Sequence, residues 1–253
     1  MSRCVIFCGP SLPEATILRW LPRADVRPPA VCGDVYRAVM QGAVTIGLID
    51  GSAEERGAVW HKEILFALQQ GVFVYGAGGV GALRAADLHR LGMIGVGRVF
   101  AWYRDGMTDA DDEIMVSYAS RDEDYRVQSE ALVNIRATLE RAVAAWLLSE
   151  AEAIKLIQVA KTLYYPWRTY ASLLEAAHSQ QALANETLVR LEEWLTGWNV
   201  RLDQKRIDAE AMVRRIANMM HDERFDGSQL EFERTEGWDA LTRQVAGDAA
   251  ASS

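Results

Sequence analysis

The residues best suited to chemistry lie in three loops, each of which follows a short apolar run. The loops read GPSLP at 9–13, DGSAEERG at 50–57 and GAGGVG at 76–81. A serine placed after a strand and before a helix is a plausible nucleophile, which makes Ser11 and Ser52 candidates. Lys62, a little further along the chain, could act as a general base if it is neutral.

The glycine loop has the spacing of a dinucleotide-binding turn. Gly76, Gly78 and Gly81 form G-x-G-x-x-G, which can bring backbone N–H groups against a pyrophosphate. Such a site also needs an acidic residue about 20 residues further on. Asp105 is the only acid near that window and comes late. Glycines used for a tight turn and close helix packing are therefore favoured over a nicotinamide or flavin site.

The elements that must position these loops alternate between strand and helix. RCVIFC (3–8), VTIGLID (44–50) and VFVYG (72–76) predict buried strands, and GDVYRAVMQG (33–42) and AVWHKEILFALQQG (58–71) predict helices that end at Gly42 and Gly71. This alternation predicts an α/β fold with a Rossmann-like parallel sheet in the N-terminal half. From about Ser129 onward, helical periodicity predicts a mainly α-helical C-terminal half. The predicted domains are an α/β core at 1–125, a helical region packed on it at 126–245, and a disordered tail at 246–253.

Composition narrows the class of protein. The chain has 253 residues, half of them hydrophobic, and a net charge of −8, which argues against a nucleic-acid binder or a protein of anionic membranes. Cys4, Cys8 and Cys32 are few and set among apolar residues, so we expect free thiols, no zinc site and a reducing compartment. With no signal peptide and no run of about 18 apolar residues, the sequence predicts a cytoplasmic protein.

Several longer motifs resemble the TfuA-like core family in their order and spacing. They are FCGPSLP (7–13), PPAVCGDVYRAV (28–39), IGLIDG (46–51), VWHKEILFAL (59–68), GAGGVGALRAADL (76–88), GMIGVG (92–97) and YRDGMTDADDEI (103–114). The resemblance covers the first half of the chain. In the second half, only LVNIRATL (132–139) is similar to the family.

The resemblance implies a role in sulfur transfer. TfuA-like proteins work beside YcaO enzymes, which use ATP to activate a peptide amide so that sulfur can replace its oxygen. The TfuA-like partner hydrolyses the C-terminal thiocarboxylate of a ThiS-like sulfur carrier through a serine–lysine pair. The implied partners are a YcaO enzyme, this carrier and a precursor peptide or protein substrate, with no cofactor. Self-association as a homo-oligomer is left open.

The glycine loop departs from the family motif GASSMGALRA. Gly78, Gly79 and Val80 stand where Ser-Ser-Met is expected, so the dinucleotide spacing is interpreted as a by-product of two serine replacements. We expect Gly78 and Gly79 to give clearance and anion-facing N–H groups to the Gly-Gly tail of the carrier. Bulk at Gly79 is then expected to lower turnover far more than stability.

The resemblance assigns the pair to Ser11 and Lys62. Ser11 is preferred over Ser52 because its motif is intact, although Ser11 could also cap the following helix with Glu14 in a capping box. The predicted groups for substrate and oxyanion binding are Gly9, Leu12, Gly78, Gly79 and Arg84, and the predicted supporting residues are Asp34, Asp50, His61 and Glu63.

The neighbours of Lys62 leave its role open. Lys62 falls early in a helix, where the dipole disfavours a second positive charge and eases loss of its proton. Arg84 nearby would add to this effect. From the residues alone, a solvated lysine paired with Glu63 or another acid is the more common role. His61, at the edge of the apolar stripe, is more typical of a core histidine than of a catalyst.

The remaining acids have ordinary alternatives. Asp34 and Asp50 stand beside glycines and could orient Lys62 or Arg84, or simply form turns. The acidic stretch Asp109, Asp111, Asp112 and Glu113 could hold Mg²⁺, but a structural or partner-contact role is favoured. Two other functions stay open: a non-catalytic adaptor that brings peptide and YcaO together, and an NAD(P)-dependent oxidoreductase.

Overall fold

The computed structural model describes residues 3–52, 57–219, 226–227 and 229–251. The chain divides into two compact units, of which unit 1 comprises Met1–Met107 and Arg206–Ser253, and unit 2 comprises Thr108–Lys205. The first boundary between the units therefore follows Met107, whereas the sequence predicts it at residue 125. The last helices belong with the sheet and not with the helical region that precedes them.

Unit 1 is built on a five-stranded parallel sheet. The strands are β1 (Arg3–Phe7), β2 (Asp25–Arg27), β3 (Ala43–Leu48), β4 (Phe73–Ala77) and β5 (Ile94–Val96), in the order β2-β1-β3-β4-β5. The central strands are almost continuously apolar because helices cover both faces of a parallel sheet. The predicted α/β fold with a parallel sheet in the N-terminal half is confirmed.

The helices follow the strands in unit 1 and then dominate the rest of the chain. The helices predicted at 33–42 and 58–71 end just before Gly42 and Gly71, the glycines at which they were predicted to stop. The helices are α1 (Glu14–Trp20), α2 (Asp34–Met40), α3 (His61–Gln69), α4 (Val80–Leu88), α5 (Arg98–Arg104), α6 (Leu132–Ala144), α7 (Glu150–Thr162), α8 (Tyr170–Ser179), α9 (Asn185–Leu195), α10 (Gln204–Ala217) and α11 (Glu236–Ala251).

One face of the sheet is covered by α1 and α10. Met212 and Val213 of α10 are fully buried in a cluster with Ile6 of β1, Ile49 directly after β3 and Ile17 of α1. Burying such side chains contributes about 1.5–3 kcal/mol each. This packing is the physical reason why the chain after Lys205 returns to unit 1.

Helix α11 packs on the outside of α2 and α3. Trp238, Leu241 and Val245 are buried against a cluster that includes Tyr36 and Phe66. The helix continues to Ala251, although the composition of 246–253 predicts a disordered tail. Alanine has the highest helix propensity of all residues, which favours this extension. Residues 252–253 lie outside the described part of the chain.

In unit 2, helices α6 to α9 enclose a core of their own. Leu139, Leu156, Leu173 and Leu191 lie at its centre and are almost fully buried. Each helix contributes an apolar stripe at helical spacing, which is the pattern that predicts a helical region here.

Candidate active site

The site lies where the direction of strand order changes in the sheet. Strand β1 lies between β2 and β3, so the chain moves to one side of β1 and then to the other. In doubly wound sheets, ligands bind outside the carboxyl ends of the strands at this point. The loops that follow β1 and β3 carry Ser11 and Asp50.

Asp50 receives three hydrogen bonds from the loop after β1. The Ser11 hydroxyl donates to Oδ1 of Asp50 at 2.6 Å. The backbone N–H groups of Ser11 and Gly9 donate to Oδ2 at 2.9 and 3.0 Å. Ser11 and Asp50 are each 4% exposed, so water competes little for these contacts. The carboxylate therefore fixes both the Ser11 hydroxyl and the backbone that carries it.

Ser11 does not cap the following helix. The N-cap position of α1 is Pro13, and no side chain caps it. The predicted capping box of Ser11 with Glu14 is therefore wrong, because α1 begins at Glu14 and Ser11 lies two residues before the N-cap position.

Gly9 and Leu12 contact the surroundings of Asp50 through their backbone. The Gly9 N–H is bound by Asp50, and the Leu12 carbonyl accepts a hydrogen bond from the Cys8 thiol at 3.2 Å. The same thiol donates weakly to Asp50 Oδ2 at 3.8 Å. Cys8 thus joins the buried surroundings of Asp50, which sequence reasoning did not include.

The glycine loop packs directly on the end of β3. The N–H groups of Gly79 and Gly81 donate to the carbonyls of Ala77 and Ile49 at 2.8 and 3.2 Å, so they are not available to a pyrophosphate or to an incoming tail. A Cβ on Gly79 would lie 2.7 Å from Asp50 Oδ1. The predicted clearance at Gly79 is therefore wrong, because the side of the glycine that faces the site is already filled.

The left-handed backbone of the turn is at Gly78, with a φ of +68°. This conformation suits glycine and is uncommon for residues with a Cβ. The turn geometry thus explains a glycine at this position without a dinucleotide.

Lys62 is oriented by the C-terminal segment. It is the second residue of α3, and its ammonium donates to Thr235 Oγ1 at 3.2 Å and lies 5.6 Å from the centre of the Phe232 ring. Within the described residues, no hydrogen bond or ion pair joins Lys62 to Ser11 or to Glu63. Thr235 is 173 positions away in sequence, and no sequence pattern signals this contact.

An open groove lies between α3 and α4. It has a volume of about 440 Å³ and is lined by Ala58, Val59, Trp60, His61, Lys62 and Arg84. The Arg84 side chain is only 14% exposed and donates from Nε to the Val59 carbonyl at 3.0 Å. Its ion pair with Asp87 is long, at 3.6 Å. Because Lys62 and Arg84 outweigh one carboxylate, the groove favours an anion.

His61 is at the rim of this groove and not in the core. Its Nε2 lies 2.7 Å from Asp87 Oδ2, and its side chain is 48% exposed. The prediction that His61 is a core histidine is therefore wrong. Helix α3 begins at His61, and the side chain of this first residue lies outward.

Glu63 joins the starts of two helices. Its carboxylate is fully buried and accepts hydrogen bonds from the N–H groups of Gly33, Tyr36 and Trp60. Burial raises the pKa of Glu63, while these N–H groups oppose the rise. Glu63 therefore supports the groove through the backbone of α2 and α3 and does not pair with Lys62.

Asp34 and Ser52 also have local partners. Asp34 accepts from Arg37 at 2.6 Å and from the Val31 N–H at 3.1 Å, and neither contact orients Lys62 or Arg84. The Ser52 N–H donates to the Ala30 carbonyl at 3.0 Å. The loop residues 53–56 that follow lie outside the described part of the chain.

The cysteines have no disulfide partner among themselves. Cys4, Cys8 and Cys32 are all free thiols. Burial raises the pKa of Cys4 to about 12 and that of Cys32 to about 11. At neutral pH these two thiols are protonated and poorly nucleophilic.

Two residues of the acidic stretch in unit 2 form ion pairs. Asp112 pairs with the fully buried guanidinium of Arg168 at 2.5 Å. Glu113, also fully buried, pairs with Arg136 at 2.6 Å and with Lys161 at 3.3 Å. In the part of the chain that the structure describes, no group of three or more His, Cys, Asp or Glu residues could hold a metal ion.

Glu113 predicts an acid-dependent loss of stability. Burial raises the pKa of this carboxyl, but its polar partners, led by the Arg136 guanidinium and including the Lys161 ammonium, more than offset burial and hold the pKa below its ordinary value of 4.5. The stabilisation is therefore complete above about pH 4.5 and is lost as the pH falls through the lower, folded-state pKa. We expect the unfolding free energy of the parent to fall with pH in this window, measured by urea denaturation. The matched variant Glu113→Gln should show a flatter pH dependence, and an unchanged slope would contradict the assignment.

Comparison with known proteins relates part of the chain to a family. Within the described residues, no helix is both long and apolar enough to cross a membrane. A search of curated proteins found no match. The family model described as TfuA-like protein matches residues 50–169. The matched segment begins at Asp50 and includes Lys62, Arg84 and the glycine loop, whereas Ser11 and Thr235 lie outside it. This segment of the chain is similar to the TfuA-like family.

Proposed function

We propose that this protein releases sulfide from the C-terminal thiocarboxylate of a ThiS-type sulfur carrier. In this proposal the sulfide serves a YcaO enzyme, which uses it to replace the oxygen of an amide in a precursor peptide or protein. The similarity of residues 50–169 to the TfuA-like family supports this class of function. The observation that carries the hydrolase proposal is the Ser11 hydroxyl, 2.6 Å from a buried carboxylate oxygen of Asp50.

Ser11 is the proposed nucleophile and Asp50 the group that takes its proton. A nucleophile and its base must lie within hydrogen-bonding reach, about 2.6–3.2 Å. Asp50 meets this condition, whereas the hydroxyl of Thr235 holds the ammonium of Lys62. The base assigned to Lys62 by family resemblance is therefore reassigned to Asp50 in this proposal.

The proposed reaction has two steps. Ser11 Oγ attacks the thiocarboxyl carbon and its proton passes to Asp50, which gives that proton to the sulfur as the C–S bond breaks, so that HS⁻ leaves and the Asp50 carboxylate is restored. Water then attacks the acyl-serine while Asp50 takes a proton from it and returns that proton to Ser11 Oγ as the ester bond breaks. The carrier is freed as its carboxylic acid, which ionises to the carboxylate and H⁺. The sum is R–COS⁻ + H₂O → R–COO⁻ + HS⁻ + H⁺. No redox partner or cofactor is needed.

Lys62 and Arg84 have a binding role in this proposal. A thiocarboxylate and the resulting carboxylate are both anions, and the groove that these residues line carries excess positive charge. Helix α4 begins beside Asp50, since a Cβ on its N-cap Gly79 would lie 2.7 Å from Asp50 Oδ1, and it carries Arg84 at the groove. Loss of either cation is therefore expected to raise KM more than it lowers kcat.

A non-catalytic adaptor is the second candidate. The observation that favours it is the burial of Ser11, which is 4% exposed and whose hydroxyl hydrogen is held by Asp50. In that case the protein would bring the peptide and YcaO together without touching the carrier.

Sulfide release separates the two functions. The purified protein is incubated with thiocarboxylated carrier, and free sulfide is measured with and without the YcaO enzyme. We expect release by the protein alone. If it releases none, yet still accelerates thioamidation when sulfide is supplied in solution, the adaptor is the better account.

A further inference from the structure

We infer that Thr235 is a positioning residue for Lys62, and that the C-terminal segment completes the anion-binding groove. The interpretation of the groove as the binding site of the carrier rests on the proposed function. The contact between Thr235 and Lys62 does not. The C-terminal segment is here the described residues 229–251. All of them lie outside the segment that matches the family model.

The Thr235 hydroxyl serves two donors. It accepts the Lys62 ammonium at 3.2 Å and the backbone N–H of Trp238 at 3.4 Å. The second contact is that of a residue capping the start of α11. Because the cap geometry fixes the hydroxyl, the ammonium that it binds has a defined place.

The partner of Lys62 is neutral, and this preserves the charge of the groove. A carboxylate in the same place would hold the ammonium equally well but would cancel its charge toward a ligand. Thr235 holds one N–H of Lys62, and the face of the Phe232 ring, 5.6 Å away, adds a cation–π contact. Neither partner neutralises Lys62, so its charge stays available to an anion.

Aromatic packing holds the segment against α3. The Phe232 ring centre lies 4.9 Å from that of Trp238 and 5.8 Å from that of Phe66, which belongs to α3. Trp238 is buried between Phe66 and Tyr36 of α2. Thr235 thus sits on a segment fixed to the helix that carries Lys62.

The test compares Thr235→Val with Thr235→Ser. Valine has the shape of threonine but cannot accept a hydrogen bond, whereas serine retains the hydroxyl. Thr169→Val is the matched control, because Thr169 caps α8 in the same way, accepting the Ser172 N–H at 3.0 Å, but in unit 2. The first readout is the rate at which acetic anhydride modifies Lys62, followed by peptide mass spectrometry, with Lys155 as the internal reference. The second is the split between KM and kcat for sulfide release.

We expect Thr235→Val to raise the modification rate of Lys62 about three- to tenfold and to raise KM by a similar factor, with kcat little changed. In the Thr235→Ser and Thr169→Val variants, acetic anhydride should modify Lys62 at the parent rate. The inference is overturned if Thr235→Val also shows the parent rate, or if Thr169→Val shows the same increase. The labelling readout does not depend on hydrolysis, so a parent without sulfide release would refute the proposed function and leave this test intact.

Discussion

Asp50→Asn is expected to lower kcat for sulfide release by about 10²–10⁴-fold, the range typical of a positioned proton transfer. The amide cannot take the proton of Ser11, and one end of it would present N–H groups to a region that already holds the N–H groups of Gly9 and Ser11. Ser11→Ala should lose as much activity, because the two residues serve one step. The double variant should be little worse than the worse single variant.

The control for this prediction is Asp34→Asn. Asp34 belongs to the same unit and is also held by a backbone N–H and a neighbouring side chain, but it contacts Val31 and Arg37 instead of Ser11. We expect it to keep the parent kcat. Ser52→Ala tests the other candidate nucleophile. Full activity of Ser11→Ala combined with loss in Ser52→Ala would move the nucleophile to the loop after β3.

The second large effect is on stability. Gly81→Ala should lower the unfolding free energy by about 3 kcal/mol or more, because the added Cβ would overlap the carbonyl oxygen of Leu48. That oxygen belongs to the backbone of β3, so the overlap is relieved only if α4 moves away from the sheet. The measurement is urea denaturation of the purified variant beside the parent.

Gly247→Ala is the matched control. Gly247 is a helical glycine of α11, and an added Cβ there would meet no atom within 4 Å. This change should stabilise the protein by up to about 1 kcal/mol through helix propensity. If both alanine variants had the unfolding free energy of the parent, the close approach of α4 to β3 would not limit stability in the way predicted.

The long apolar strands were predictable, and the short ones were not. The apolar runs of β1, β3 and β4 are bounded by glycines and polar loops, and these two features are enough to predict a buried strand. Strands β2 and β5 have only three residues each, DVR and IGV, and are ordered by pairing with a neighbour. So short a segment has no periodicity of its own to read.

The position of the candidate site was predictable from the sequence, but the side chains that contact each other there were not. Glycines and polar residues after apolar runs place Ser11 and Asp50 at the carboxyl edge of the sheet. Which side chains meet there depends on strand order, and the neighbour of β1 across the site is β3. Lys62 illustrates the limit, since its partner Thr235 comes from a helix start far along the chain. Local pattern has no information on that contact.

The division of the chain has a consequence for synthesis. Unit 1 needs α10, which covers one face of the sheet, but the ribosome makes all of unit 2 between the sheet and that helix. At about 5–20 residues per second, the roughly one hundred intervening residues take about 5–20 s. During this time the sheet face that will receive Met212 and Val213 has no α10 to cover it. We therefore expect chaperones that bind apolar surface to bind the nascent chain and to raise the yield of folded protein.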